Sequence, residues 1–158
     1  MTVSLWRIAT DTPNYTSDDM SGAGAKVSGG RWNRPGNAML YTASNIALAC
    51  LETIVHINAS GLPLNRYLVR IEIPDQIWKR RTSFPNNAAT VGWDAEPAGK
   101  VSLDYGDHWL SSGRSALLIV PSVIVAEEHN VLINPAHADT ASIKATKLRK
   151  WQYDARLL

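Results

Sequence analysis

Arg31, Tyr41 and Glu52 lie within one short stretch of the chain, and their side chains suit a single kind of chemistry. Gly29-Gly30 lets the backbone bend or approach a ligand closely just before Arg31. The Arg31 guanidinium is a rigid, permanently charged fork that matches a diphosphate. Asn33 is placed to hold a loop or to meet a ribose hydroxyl, and Trp32 to pack on a sheet or wall a pocket. Tyr41 offers a ring that can stack on a planar heterocycle. Glu52 falls among Leu51, Ile54 and Val55, where a carboxylate is unfavourable unless it is paired with an arginine or a ligand hydroxyl. A carboxylate, an arginine and an aromatic ring together suit cleavage of a glycosidic bond such as the one between nicotinamide and ribose. That reaction passes through an oxocarbenium-like state, which a carboxylate stabilises. The same residue types also read as an Arg31–Glu52 ion pair closing a loop onto a helix, beside an ordinary core tyrosine.

The elements that must carry these residues follow from periodicity and turn chemistry. Residues 3–9 read as a first strand with Leu5 and Ile8 inward, and Arg7 faces either solvent or a site. Residues 10–30 are polar and rich in small residues, with turn signals at Pro13, Asn14, Ser17, Asp18 and Asp19. Residues 39–42 form a short buried strand. Ser44 is the expected N-cap of the clearest helix, residues 45–57, where Ile46, Ala49, Cys50, Thr53, Ile54 and Ile57 recur at helical spacing. That helix is expected to stop across 58–61, with Gly61 and Pro63 as signals. Residues 67–73 alternate as a strand ending at Pro74. A helical turn at 75–79, a loop at 86–99 and a short helix at 105–112 follow. Strands are expected at 116–120 and 130–133, with an extended stretch at 122–126 after Pro121. Residues 143–150 have helix-like composition. Interleaved strands and helices without a fixed-period repeat point to one α/β or α+β domain.

Composition bounds the rest. The chain has 158 residues, 45% hydrophobic and 19% charged, with formal net charge +2. A chain of this size buries roughly 70% of its unfolded surface and supports a core without staples. The mild charge gives no argument for nucleic acid or membrane. Lys144, Lys147, Arg149 and Lys150 form the one clear basic cluster, read as a solvated helix face or as a partner- or phosphate-contacting patch. The single cysteine, Cys50, allows no internal disulfide and fits a reducing cytoplasm. There is no apolar signal-like N-terminal stretch and no run of 18 apolar residues. Phosphate-loop, dinucleotide-fingerprint, zincin and nucleophile-elbow motifs are absent. The four histidines are scattered, so no metal site and no cofactor is expected. The six tryptophans are expected in the core or in groove walls.

The ordered motifs resemble the RES domain, named for Arg, Glu and Ser, the toxin half of RES–Xre toxin–antitoxin pairs. The pieces are Trp6-Arg7, Ser21-Gly22-Ala23-Gly24-Ala25, Gly29-Gly30-Arg31-Trp32-Asn33, Leu40-Tyr41-Thr42, Ala49-Cys50-Leu51-Glu52, Val120-Pro121-Ser122 and Asn130 through His137. They run from near residue 5 to near residue 140. The resemblance implies a single RES domain over 1–158, with its core at about 5–140 and a C-terminal helical tail. It implies an α+β fold like that of ADP-ribosyltransferases, with mixed or antiparallel sheets flanked by helices. It implies Arg31, Tyr41 and Glu52 as catalytic, and Arg7, Asn33 and Ser122 as further NAD+ contacts; Ser112 and Ser115 are nearby alternatives for the family serine. NAD+ is then the substrate, cleaved by hydrolysis or phosphorolysis to deplete the cell, or used to ADP-ribosylate a protein. The implied partner is a Xre-type antitoxin, with room for a higher-order complex and no direct contact with nucleic acid or membrane. Unlike typical ADP-ribosyltransferases, the glutamate comes early and on a helix. An RNA-cleaving toxin or a non-catalytic binding module are the readings from other classes; RNA decay at constant NAD+ would mark the former.

Overall fold

A computed structural model describes residues 1–57 and 63–157. The chain opens with β1 (Thr2–Thr10), α1 (Ala23–Ser28), β2 (Leu40–Ala43) and α2 (Ile46–Ile54). It continues through β3 (Arg66–Pro74), α3 (Asp75–Lys79), β4 (Thr82–Ser83) and α4 (Lys100–Ser112). It closes with β5 (Leu117–Pro121), β6 (His129–Ile133) and β7 (Lys144–Lys150). The strands form one sheet in the order β4-β5-β6-β2-β1-β3-β7. All pairs are antiparallel except β4–β5. The chain is thus a single-domain α+β fold with a mixed sheet.

The sheet is not uniformly knit. β1 pairs with β3 along its whole length, Thr2 opposite Pro74 through Thr10 opposite Arg66. Its pairing with β2 is reduced to Trp6 opposite Ala43. The half-sheets β4-β5-β6-β2 and β1-β3-β7 are therefore hinged at one residue pair, and a cleft opens where β1 and β2 part.

The core divides accordingly. Leu5, Val69, Ile71 and Ile73 meet Leu117, Val131 and Ile133 in a central cluster. Trp32, Phe84, Trp93 and Trp109 pack with Leu118 and Leu132 in a second. Leu48, Ala49 and Cys50 of α2 seat that helix on Ile8, Ala43 and Leu68 in a third. Leu5 and Ile8 point inward as the alternation predicts.

Six expectations need correction. Residues 143–150 form no helical tail: β7 pairs with β3 from Tyr67–Lys150 to Glu72–Lys144. The Lys147 ammonium lies 4.6 Å from the Tyr67 ring centre and 2.9 Å from Asp11 Oδ2. These non-local contacts override helix-like composition, so the basic cluster sits on an edge strand. Residues 122–126 are not extended, because Ser122 Oγ accepts the backbone N–H of Ile124 and of Val125, each at 3.1 Å, and folds a turn. The stretch 10–30 holds the unexpected helix α1, entered at Gly22 with φ 70°. The N-cap of α2 is Asn45, not Ser44: its side chain accepts Leu48 N–H at 2.7 Å. α2 runs to Ile54, shorter than predicted; the expected stop at 58–61 lies outside the described residues. α4 begins at Lys100, earlier than the predicted 105.

Candidate active site

The loop that carries Arg31 is held by buried hydrogen bonds and aromatic packing. The Tyr41 hydroxyl, at the end of a ring rooted in β2, accepts the Trp32 N–H at 3.1 Å and donates to Asn33 Oδ1. Asn33 is fully buried, and its Nδ2 donates to Ala25 O at 2.9 Å and Asn37 O at 2.8 Å. The Trp32 ring is stacked 6.0 Å from Trp93 and lies edge-on, 4.8 Å from Phe84. Gly30 leaves space for this arrangement; a Cβ there would stand 2.8 Å from Tyr41 Cζ. Arg34 ties the loop to α4 through Asp107 at 2.9 Å and Asp104 at 2.7 Å.

α4 can approach this closely because its inward residue is Gly106. A Cβ at that position would overlap the Trp32 carbonyl oxygen and lie 2.7 Å from the carbonyl carbon. Burial pushes the Tyr41 phenol well above its ordinary range, partly offset by the hydrogen bond from Trp32 N–H, so it stays protonated.

The cleft between the half-sheets has a volume of about 1020 Å³. Arg7, Arg31, Tyr41, Glu52 and Asn130 line it, so three strands and a helix converge on one space. Arg7 is half-buried on β1. Its guanidinium has no hydrogen-bond or ion-pair partner among the described residues. Burial lowers its pKa, and the nearby Asp19 and Tyr15 act in the opposite sense. A desolvated, unpartnered guanidinium at the wall of a cavity is a ready seat for an anion.

Arg31 is differently placed. Its Nη1 donates to Ala95 O at 2.6 Å and Trp93 O at 3.2 Å, and its Nη2 to Glu96 Oε2 at 2.8 Å. The ion pair expected with Glu52 is therefore made with Glu96, which stands on the rim with its side chain 79% exposed. Glu52 points from α2 at the turn after β5. Its Oε1 accepts from Ser122 Oγ and from Asn130 Nδ2, both at 2.8 Å. Its Oε2 has no partner among the described residues.

The six residues singled out in the sequence divide into two groups. Arg7, Arg31, Tyr41 and Glu52 share the cleft. Asn33 and Ser122 are fully buried and do not line it. They stand behind the lining: Asn33 holds Tyr41 and the Arg31 loop, and Ser122 holds Glu52. The alternatives for the serine lie elsewhere, since Ser115 bonds to Trp109 Nε1 and Leu117 O, and Ser112 to Trp109 O. Sequence reasoning placed Asn130 in a motif of the resemblance but assigned it no role in the site; its signals were that motif and a polar residue at the head of the apolar run Val131-Leu132-Ile133. It also missed Glu96, which lies in a loop with no periodicity. Among the described residues no three His, Cys, Asp or Glu side chains gather as a metal cradle, and no helix is long and apolar enough to cross a membrane.

Comparison with known proteins follows the same outline. The model of the family described as the RES domain matches residues 4–156. The chain is 61% identical over 159 residues to a protein of Sphingobium sp. (strain YBL2) named Prs ADP-ribosylating toxin, covering 100% of this chain and 98% of that one. It is 36% identical over 146 residues to a protein of Yersinia enterocolitica named Toxin Res, covering 90% and 93%. It is 34% identical over 155 residues to a Toxin Res of Pseudomonas putida, covering 97% and 98%.

Proposed function

Since this chain belongs to the RES family of toxins, we propose that its cleft binds NAD+ and cleaves the nicotinamide–ribose bond. The observation that carries the reading is the pairing, in one cavity, of the Arg7 guanidinium and the Glu52 Oε2, neither of which has a partner among the described residues. The cavity, about 1020 Å³, is at the top of the range for small-molecule sites and suits an extended dinucleotide. Arg7 takes the pyrophosphate directly. Arg31 joins it once a phosphate oxygen displaces Glu96. Tyr41 offers its ring to the nicotinamide while its hydroxyl keeps the Arg31 loop in place.

The chemistry uses charge and position. As the C1′–N bond lengthens, the pyridinium nitrogen takes the electron pair and nicotinamide leaves neutral. Positive charge grows on C1′ and the ring oxygen, and Glu52 Oε2 stabilises it electrostatically. The acceptor then bonds to C1′ and gives its proton to Glu52 or to solvent. No cofactor is required, since NAD+ is itself the reactant. Water or phosphate as acceptor would deplete NAD+. The 61% identity to a protein named as ADP-ribosylating Prs favours a protein side chain, with Prs as the target to test. A Xre-type antitoxin that covers the cleft in the cytoplasm would neutralise either activity.

The test is product analysis with NAD+ labelled on the adenylate phosphate, with and without phosphate and with and without purified Prs. Label on Prs supports transfer, free ADP-ribose supports hydrolysis, and a phosphorylated ADP-ribose supports phosphorolysis. Intact NAD+ under all conditions, with no antitoxin present, would refute the reading.

A further inference from the structure

We propose that Asn130 is a positioning residue that aims the Glu52 carboxylate, a role that rests on the reading of the cleft as an NAD+-cleaving site. β6 runs through the middle of the sheet, between β5 and β2. Its other central residues, Val131, Leu132 and Ile133, are buried and apolar. Asn130 interrupts this run and lines the cleft.

The amide has one tolerable orientation. Nδ2 donates to Glu52 Oε1 at 2.8 Å, while Oδ1 is buried and has no partner among the described residues. Turning the amide over would set its carbonyl oxygen against a carboxylate oxygen. An orphaned buried acceptor is unfavourable for the fold. An apolar residue of the same size would suit this position better for stability alone. The tension points to function: the fold retains the asparagine for the donor that it offers to Glu52.

Ser122 completes the geometry. Its hydroxyl oxygen accepts two backbone N–H groups, so its one proton is committed to Glu52 Oε1. Oε1 thus receives two donors from two different elements, the turn after β5 and the strand β6. A carboxylate gripped at one oxygen from two directions cannot rotate freely. Oε2 is left at a set position, where charge develops on the ribose. Neither Asn130 nor Ser122 needs to touch the substrate for this.

The test is Asn130→Leu, nearly the same volume without the donor, with Asn130→Asp beside it. Nicotinamide release from NAD+ is followed for kcat and KM, and thermal unfolding for Tm. Asn130→Leu is expected to lower kcat about tenfold to a hundredfold, the scale of a misplaced reacting group, with KM within about twofold. Its Tm is expected to stay level or rise, because the orphaned carbonyl is gone. Asn130→Asp, which faces Glu52 with like charge, is expected to lower kcat further. Full kcat in Asn130→Leu would overturn the proposal, as would a loss of activity that merely tracks a falling Tm, or a rise in KM at constant kcat. Glu52→Gln separates the two levels of the argument. If that variant still cleaves NAD+ at the wild-type rate, the cleft reading itself fails. If it is impaired while Asn130→Leu is not, only the positioning role fails.

Discussion

Gly106→Ala sets helix propensity directly against packing. In an exposed helix interior the change would stabilise by about 1 kcal/mol, since alanine loses less backbone entropy and forms helix best. Here the new Cβ would overlap the Trp32 carbonyl oxygen and stand 2.7 Å from its carbonyl carbon and 3.0 Å from Trp32 Cβ. Ordinary carbon–carbon contacts begin at about 3.5 Å, and the overlap with the carbonyl oxygen is tighter still, so α4 or the Trp32 loop must retreat by at least about 1 Å. Both neighbours are backbone or backbone-proximal, and neither can swing aside. Overpacking of this kind costs about 1–3 kcal/mol, and a backbone clash belongs at the upper end. Net of propensity, about 2 kcal/mol of stability is lost. For a chain of 158 residues that lowers Tm by roughly 4–8 °C. The retreat also strains the Arg34–Asp107 link and the seating of Trp32 beside Arg31. A shift of about 1 Å at Arg31 is expected to reduce NAD+ cleavage by up to about a hundredfold. Calorimetry or circular dichroism gives Tm, and nicotinamide release gives activity. A Tm that rises as propensity alone predicts, or a lower Tm with undiminished cleavage, would refute the reasoning.

Glu96→Gln removes the charge that competes with substrate phosphate for Arg31 Nη2. With Glu96 so exposed, the pair is worth about 0–1 kcal/mol, so KM for NAD+ is expected to fall by up to about fivefold. A KM that stays constant or rises would show that phosphate does not take that seat. Tyr41→Phe leaves Trp32 N–H and Asn33 Oδ1 without their partner, and a loss of about 2 kcal/mol is expected by denaturant titration. The phenol's folded pKa lies above its unfolded value of about 10, so the protonated ring contributes stability that is fully present below pH 10 and lost as pH rises beyond it. Wild type should therefore lose Tm above pH 10 more steeply than Tyr41→Phe. Asn45→Ala leaves the Leu48 N–H uncapped, and a loss of about 1 kcal/mol is expected with little effect on KM.

Local pattern made much of this protein legible. Leu5 and Ile8 on β1, the strand after Tyr67 and the helix that bears Glu52 follow from alternation and 3.6-residue spacing, because burial of one face is a local property of the chain. The ordered motifs from Trp6-Arg7 to Asn134-Pro135 carried the family resemblance, and Arg7, Arg31, Tyr41 and Glu52 do meet in one cleft. Partnership was another matter. That Arg31 pairs with Glu96 rather than Glu52, that the Arg7 guanidinium has no partner among the described residues, and that Ser122 and Asn130 grip one carboxylate oxygen all depend on contacts between residues dozens of positions apart. The basic C-terminal stretch has helical composition, yet it became an edge strand because β3 offered it a ladder and Tyr67 a ring face. Residue types and spacing determined which groups were available for chemistry. Only the tertiary fold, by parting β1 from β2 at a single residue pair, decided which of them stand free in the cleft and which are spent holding the others in place.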